Sequence, residues 1–365
     1  GLEVEEEETV APHFDKVVIA HVLEVARHPD ADRLNVCTVD AGLSSPLQIV
    51  CGAPNVTTGL RVPCALPGAN LPGNFQIKVA KVRGIESSGM LCSAKELGIS
   101  DDASGLLVLA PDAPIGQNIR EYLDLDDRAL TLKLTPNRAD CLSLLGIARE
   151  VAALTDSALT LPTIADVAVS TNVKRDVVLD APTACPLYCG RVISGVNAKA
   201  STPEWMKRRL ERSGIRSISA LVDITNYVML EHGQPLHAFD NALLEGAIHA
   251  RLASKGEAIC LLNEQVLELQ DDVLLISDDK RAVAMAGIMG GANSGISLET
   301  KEMFLESAFF SPRAIAGRAR RYSFSSDASH RFERGVDFGC TRPALERATQ
   351  LVLDICGGDA GPITE

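Results

Sequence analysis

Residues 234–240 read QPLHAFD, a proline turn that presents His237 three positions ahead of Asp240. A histidine held this way can accept a proton, ligate a metal ion or only pack, and its partners decide which. Thr225 and Asn226 lie shortly upstream, and the run MAGIMGGANSG (285–295) offers the backbone amides of Gly287 and Gly290. Glu306 stands in MFLESAFF (303–310), with Phe304, Leu305, Ala308, Phe309 and Phe310 around it. A carboxylate among such neighbours is costly to bury unless something hydrogen-bonds to it. Strand alternation also allows it to face outward, so the pattern leaves both readings open.

Several chemistries lack their signatures. There is no GxxxxGK[ST], and no GxGxxG opening a helix after a strand, so ATP or dinucleotide binding of those kinds is not expected. The glycine-rich run reads as a tight loop rather than a phosphate cradle. No GxSxG elbow is present. The seven histidines include no HExxH, and Gly233 and Pro235 separate His232 from His237, so no metal site is expected. Of ten scattered cysteines only Cys185 and Cys189 are close, with no second pair at zinc spacing; all ten are expected to be reduced core residues.

A chain of 365 residues, 46% hydrophobic, should build two or three domains. Its net charge of −13 argues against indiscriminate nucleic-acid binding over the whole surface. The charge is uneven, with five glutamates in the first eight residues. Residues 313–334 instead carry six arginines (Arg313, Arg318, Arg320, Arg321, Arg331, Arg334) against Asp327 and Glu333. A phosphate-bearing partner and a solvated helix face both fit that run. No stretch approaches the roughly 20 apolar residues of a membrane span, and a cytoplasmic protein is expected.

These residues need a scaffold. From Phe14 to Leu109 short β-rich runs (17–25, 33–39, 47–52, 61–66, 75–84, 105–109) alternate with Pro, Gly, Asn and Asp turns, which suggests a small closed barrel of OB type. GMLCSAKELG (89–98) reads as a short helix within it. Residues 128–155 pass from a strand into a helix, capped by Asp140, with apolar spacing at Leu142, Leu145, Ile147, Ala148, Val151 and Leu154. An α+β stretch follows from about Val177. It contains a helix capped by Ser201 or Thr202 and stopped by Gly214, an element ended by Gly233 and Pro235, and a third helix beginning PRAIAGRARRYSF.

The stretches HPDADRLNVCTV, IVCGAPN, GANLPG, KVRGIESSGMLCSAKELGIS, LTPNRADCLSLLGIARE, GIRSISALVDITNYVMLEHGQPLHAFD, AGIMGG and SSDASHRFERGVD carry a resemblance that spans practically the whole chain. In their number, order and length they are similar to the β subunits of bacterial phenylalanyl-tRNA synthetases. The resemblance implies a multidomain α+β protein: a small OB-fold β-barrel of the tRNA-binding type, then a larger mixed α/β editing domain. The implied domains are an acidic segment at 1–13 ending a truncated helical region, the OB-fold at 14–122, a strand-helix connector at 123–170, the editing domain at 171–357, and at 358–365 the start of a further region.

The resemblance also implies a function, hydrolysis of tyrosine mischarged on phenylalanine tRNA. Carried over by position, the tyrosine-discriminating glutamate falls on Glu306, and the loop shaping the amino-acid pocket on Ala286, Gly287 and Gly290. Thr225, Asn226 and His237 fall near the ester, where they would position it or the attacking water. Ser326 stands where relatives have threonine, and Ala328 matches a small residue limiting pocket size. Arg318, Arg320 and Arg321 are the expected tRNA contacts, and the α subunit, in a heterotetramer, is the expected partner. ATP and magnesium are implied for the whole enzyme, with no cofactor in this stretch. The alternative is a non-catalytic RNA-binding or partner-docking module.

Overall fold

The computed structural model describes residues 1–365. Two compact units emerge, residues 4–132 and residues 133–365 together with 1–3. In the first, strand β1 (Leu2–Thr9) precedes β2 (Val17–Arg27), β3 (Asn35–Asp40), β4 (Leu47–Cys51), β5 (Arg61–Ala65) and β6 (Met90–Leu91). Strands β2 to β6 form one antiparallel sheet in the order β6-β5-β2-β3-β4, curled into a nearly closed, OB-like barrel. The pairing of β2 with β3 slips between Val22 and Glu24, and such bulges bend a strand around a barrel. In β2, Val17 and Ile19 enter one core cluster, while Ala20 and Val22, of the other parity, enter a second.

Two expectations change in this unit. The acidic leader is a strand, paired with β7 (Arg128–Leu134), and not the end of a helix. Five glutamates within eight residues disfavour one helix through like-charge repulsion, whereas a two-stranded ribbon leaves them in water and brings Glu7 against Arg128. GMLCSAKELG is β6 followed by turns: the Glu96 carboxylate accepts from both the backbone N–H and the hydroxyl of Ser93, at 2.6 and 2.7 Å. Such local bonds offer the backbone an alternative to a helix.

The larger unit begins with helix α1 (Leu144–Thr155), then β8 (Val177–Leu179), β9 (Leu187–Ser194), α2 (Glu204–Arg212) and α3 (Ala220–His232). Next come β10 (Leu236–Asp240), β11 (Ile248–Leu252), β12 (Leu274–Ser277), β13 (Ala282–Met285), β14 (Met289–Gly290) and β15 (Glu302–Phe309). Helices α4 (Asp327–Phe332) and α5 (Thr341–Cys356) and strand β16 (Asp359–Thr364) complete it. One sheet has the order β10-β15-β9-β16 and the other β8-β11-β12-β13-β14. The first lies between two layers. Cys189, Ile193, Met303 and Leu305 pack on α2, α3 and α5, while Tyr188, Val192, Phe304 and Ala308 pack on the second sheet. Burial on both faces is why β9 and β15 read as near-continuous apolar runs.

Local signals fared unevenly. Gly233 ends α3 in the left-handed conformation. Ser143, not Asp140, caps α1, its hydroxyl accepting from the Gly146 N–H at 3.0 Å, because Asp140 is drawn into a 3-10 turn and held by Arg138. Pro203 occupies the cap of α2, and the Thr202 hydroxyl goes to Asp223 instead. The expected third helix is two single turns, Pro312–Ile315 and Arg318–Arg321, broken at Gly317 (φ 77°). Residues 359–364, set outside the larger domain on sequence, form the edge strand of its sheet. Eight cysteines are buried and free, while Cys260 is exposed and Cys340 half-buried.

Candidate active site

Glu306 sits at the centre of β15, directly opposite His237 of β10 on one side and Gly190 of β9 on the other. Register and the two-residue strand period place it beside Phe304 and Ala308 on the face covered by the second sheet, so the inward reading holds. Its Oε2 accepts from the Tyr188 hydroxyl at 2.7 Å, inside the protein. Burial pushes the carboxyl up to about 7, and the Tyr188 hydrogen bond pulls the other way. Tyr188 is itself buried, and its hydroxyl is raised well above its ordinary range by burial and by the neighbouring carboxylate, so it remains a donor.

His237 is the other half of the site. Burial lowers its imidazole to about 4, so at neutral pH the ring is uncharged. Its Nε2 is buried without a protein partner. The ring stands edge-on to Phe239, with centroids 4.5 Å apart. Gly290 makes room for it: a methyl group there would lie 2.4 Å from Cε1 and 2.5 Å from Nε2. A pocket of about 60 Å³ is walled by His237, Gly287, Gly290, Glu306, Ala328 and Phe332, among others. An unpaired imidazole nitrogen and a carboxylate thus share one small cavity.

The flanking elements explain this placement. Gln234 is fully buried and its Nε2 donates to the Ala308 carbonyl at 2.9 Å, tying the entry of β10 to the end of β15. Asp240 is structural: its carboxylate accepts from the Ala242 N–H at 3.0 Å and the Thr300 hydroxyl at 2.7 Å. Gly287 has φ 66° and sits so close to Phe310 and Phe332 that a side chain would meet both rings at 2.9 Å. Ser326 caps α4 through the Ser329 N–H, and its hydroxyl donates to the Ile288 carbonyl at 2.6 Å. It therefore shapes the pocket loop from behind, as does buried Ala286, whose N–H donates to Leu274.

Other expected residues fall elsewhere. Thr225 and Asn226 lie on α3, which packs through Ile224 and Val228 on the sheet face away from Glu306; neither lines the pocket. The Thr225 hydroxyl donates to the Val222 carbonyl at 2.7 Å. The arginine run is largely neutralised from within. Arg318 and Arg321 both bind Asp272, at 3.1 and 2.5 Å, Arg331 is buried against Asp327 and the Leu142 carbonyl, and Arg334 pairs with Glu333. Arg320 is exposed. The one group of side chains with metal-ligand proximity, Asp140, Cys141 and Glu150, is already bridged by Arg138.

Tyr188 was not anticipated. The available signal was a lone phenol in the apolar run LYCGRVI, since a buried Tyr hydroxyl needs a partner.

Comparison with known proteins places these features. Residues 184–357, which hold the entire pocket, match the family model described as "B3/4 domain", and residues 17–118 match "Putative tRNA binding domain". The phenylalanine-tRNA ligase beta subunit of Dechloromonas aromatica is 73% identical over 365 residues, covering all of this chain and 46% of that protein. Those of Aromatoleum aromaticum and Chromobacterium violaceum are 64% and 60% identical, with the same coverage. The chain is homologous to the phenylalanine-tRNA ligase beta subunits. It spans about half the length of these beta subunits. Within that half, the barrel falls in the tRNA-binding match and both His237 and Glu306 fall in the B3/4 match. No helix is long and apolar enough to cross a membrane.

Proposed function

We propose that the pocket hydrolyses tyrosine wrongly esterified to phenylalanine tRNA, within a phenylalanine-tRNA ligase whose aminoacylation, with its ATP and magnesium, belongs to parts outside this chain. The observation that carries the reading is Glu306, a buried acceptor in the wall of a small pocket. Tyrosine differs from phenylalanine by one hydroxyl. A site built to accept a hydrogen bond from that hydroxyl rejects the analogue lacking it by as much as ~10⁴ to 10⁵, because the acceptor would be left unpaired.

An aminoacyl ester is already activated, so a positioned water suffices. The ester carbon takes the water oxygen, and the ribose hydroxyl leaves with a proton. Neutral His237 holds the one buried, unpaired nitrogen of the cavity and orients that water or the terminal ribose. With its imidazole lowered to about 4 it is a poor general base at neutral pH, where the best bases titrate near the working pH. Gly287, Gly290 and Ala328 keep the ring slot open, and Ser326 and Ala286 hold the loop behind it. The alpha subunit and phenylalanine tRNA are the proposed partners, in the cytoplasm.

The test offers the protein phenylalanine tRNA charged with tyrosine or with phenylalanine, and then repeats the comparison with Glu306→Ala. Selective release of tyrosine, lost in the variant, supports the reading; equal release of both amino acids by the unaltered protein sinks it. Binding that weakens steeply with salt, with no ester turnover, would instead favour the non-catalytic RNA-binding module.

A further inference from the structure

A second phenol, besides the one the pocket is proposed to select, stands behind Glu306 and outside the pocket lining. Tyr188 comes from β9, diagonally across from Glu306, and is 1% exposed. Its ring stacks on Phe304 at 6.5 Å with an interplanar angle of 14°. Its hydroxyl takes one carboxylate oxygen, Oε2, and leaves Oε1 without a protein donor. Gly190, directly opposite Glu306, makes this possible: a methyl group there would lie 2.3 Å from the Phe304 ring against which Tyr188 stacks.

We propose that Tyr188 is a positioning, specificity-determining residue, whose hydroxyl fixes the Glu306 carboxylate so that Oε1 is the acceptor a substrate phenol must satisfy. The inference rests on the editing reading above, with Tyr188 acting through Glu306 and not touching the ester. A carboxylate free to rotate, or protonated, would tolerate an apolar phenylalanine ring better than a fixed anion does. The ionisable groups facing Glu306 are His237 from β10 and Tyr188 from β9, with Cys185 just ahead of β9. Neither neutral His237 nor the Cys185 thiol, pushed by burial above its ordinary range, supplies a positive charge, so Tyr188 is the donor that keeps Glu306 ionisable.

The decisive comparison is Tyr188→Phe, which keeps the ring, alongside Glu306→Gln and the double variant in the full 365-residue chain. Two readouts are taken. Carbon-13 NMR of the glutamate carboxyls follows the Glu306 titration, and hydrolysis of tyrosyl and phenylalanyl esters of phenylalanine tRNA gives the discrimination ratio. Tyr188→Phe should move the Glu306 midpoint upward and lower the ratio by roughly tenfold or more, as expected for a lost hydrogen bond to a charged group. In the double variant Tyr188→Phe should add little to Glu306→Gln. An unmoved midpoint in a folded Tyr188→Phe protein overturns the proposal. If the unaltered protein fails to discriminate between the esters, the editing reading falls, while the titration still decides whether Tyr188 controls Glu306.

Discussion

His237 and Glu306 face each other across neighbouring antiparallel strands, and burial moves them in opposite senses, the imidazole down to about 4 and the carboxyl up to about 7. Both are therefore held toward their neutral forms by the same dry environment.

The opposed shifts predict an unusual pH dependence of stability. Glu306 binds a proton in the folded state that the unfolded chain has released between pH 4.5 and about 7, so its contribution falls as pH rises through that window. His237 does the reverse: between about 4 and 6.5 the unfolded chain holds the extra proton, and stability rises with pH. The two slopes largely cancel. Denaturation midpoints measured from pH 4 to 7.5 should show Glu306→Gln gaining a rising slope relative to the unaltered protein and His237→Gln a falling one. Each difference should total about 3 kcal/mol across its window. Identical profiles for all three proteins would contradict the assigned shifts.

Gly290→Ala should lower hydrolysis sharply at a modest cost to stability. The added methyl meets His237 at 2.4 to 2.5 Å in a pocket of only about 60 Å³. Overpacking of this kind costs about 1–3 kcal/mol. Displacement of the imidazole should lower single-turnover hydrolysis of the tyrosyl ester by ~10². Retained hydrolysis in the folded variant would remove His237 from the site.

Ser326 separates a hydroxyl requirement from a size requirement. Ser326→Ala loses the cap of α4, worth about 1 kcal/mol, together with the bond to the Ile288 carbonyl that holds the pocket loop. Ser326→Thr keeps both. Thermal denaturation and ester hydrolysis should rank Thr close to Ser and Ala well below; equal behaviour of Ala and Ser would show that the loop is held by packing alone.

The arginine run should divide by function. Arg318 and Arg321 neutralise Asp272, so removing either should change stability by less than ~1 kcal/mol, as partly exposed ion pairs do. Exposed Arg320→Ala should lower the slope of log affinity for phenylalanine tRNA against log salt by about 1. Filter binding across a salt series would show it, and an unchanged slope would exclude Arg320 as a phosphate contact.

Much of the scaffold was legible in the chain. Four barrel strands, β2 to β5, followed from β-rich runs between Pro, Gly and Asp turns, and the stops of α2 and α3 from Gly214 and Gly233; the expected run 75–84 instead gives two short hairpin strands outside the barrel sheet, and 105–109 gives no strand. Failures cluster where a polar side chain had two partners to choose from. Asp140 went to Arg138 instead of the helix terminus, and Thr202 went to Asp223. Thr225 and Asn226 precede the turn into β10, yet the helix carrying them covers the opposite face of the sheet from Glu306. Nearness along the chain does not carry across a sheet.

The amino-acid sequence by itself determined the local elements, the pairing of a β-rich half with an α+β half, and the set of small and polar residues from which a pocket could be built. Only the tertiary structure decided which way Glu306 faces. In a strand buried on both faces apolar residues occupy both parities, so the two-residue period loses the polar-out signal that would mark the inward side. Register against β9 and β10 supplies the missing parity, bringing His237 and Gly190 opposite Glu306 and the Tyr188 hydroxyl onto its carboxylate. The shifted protonation of the pair follows from that burial, a property of the packed sheet and of no single residue in it.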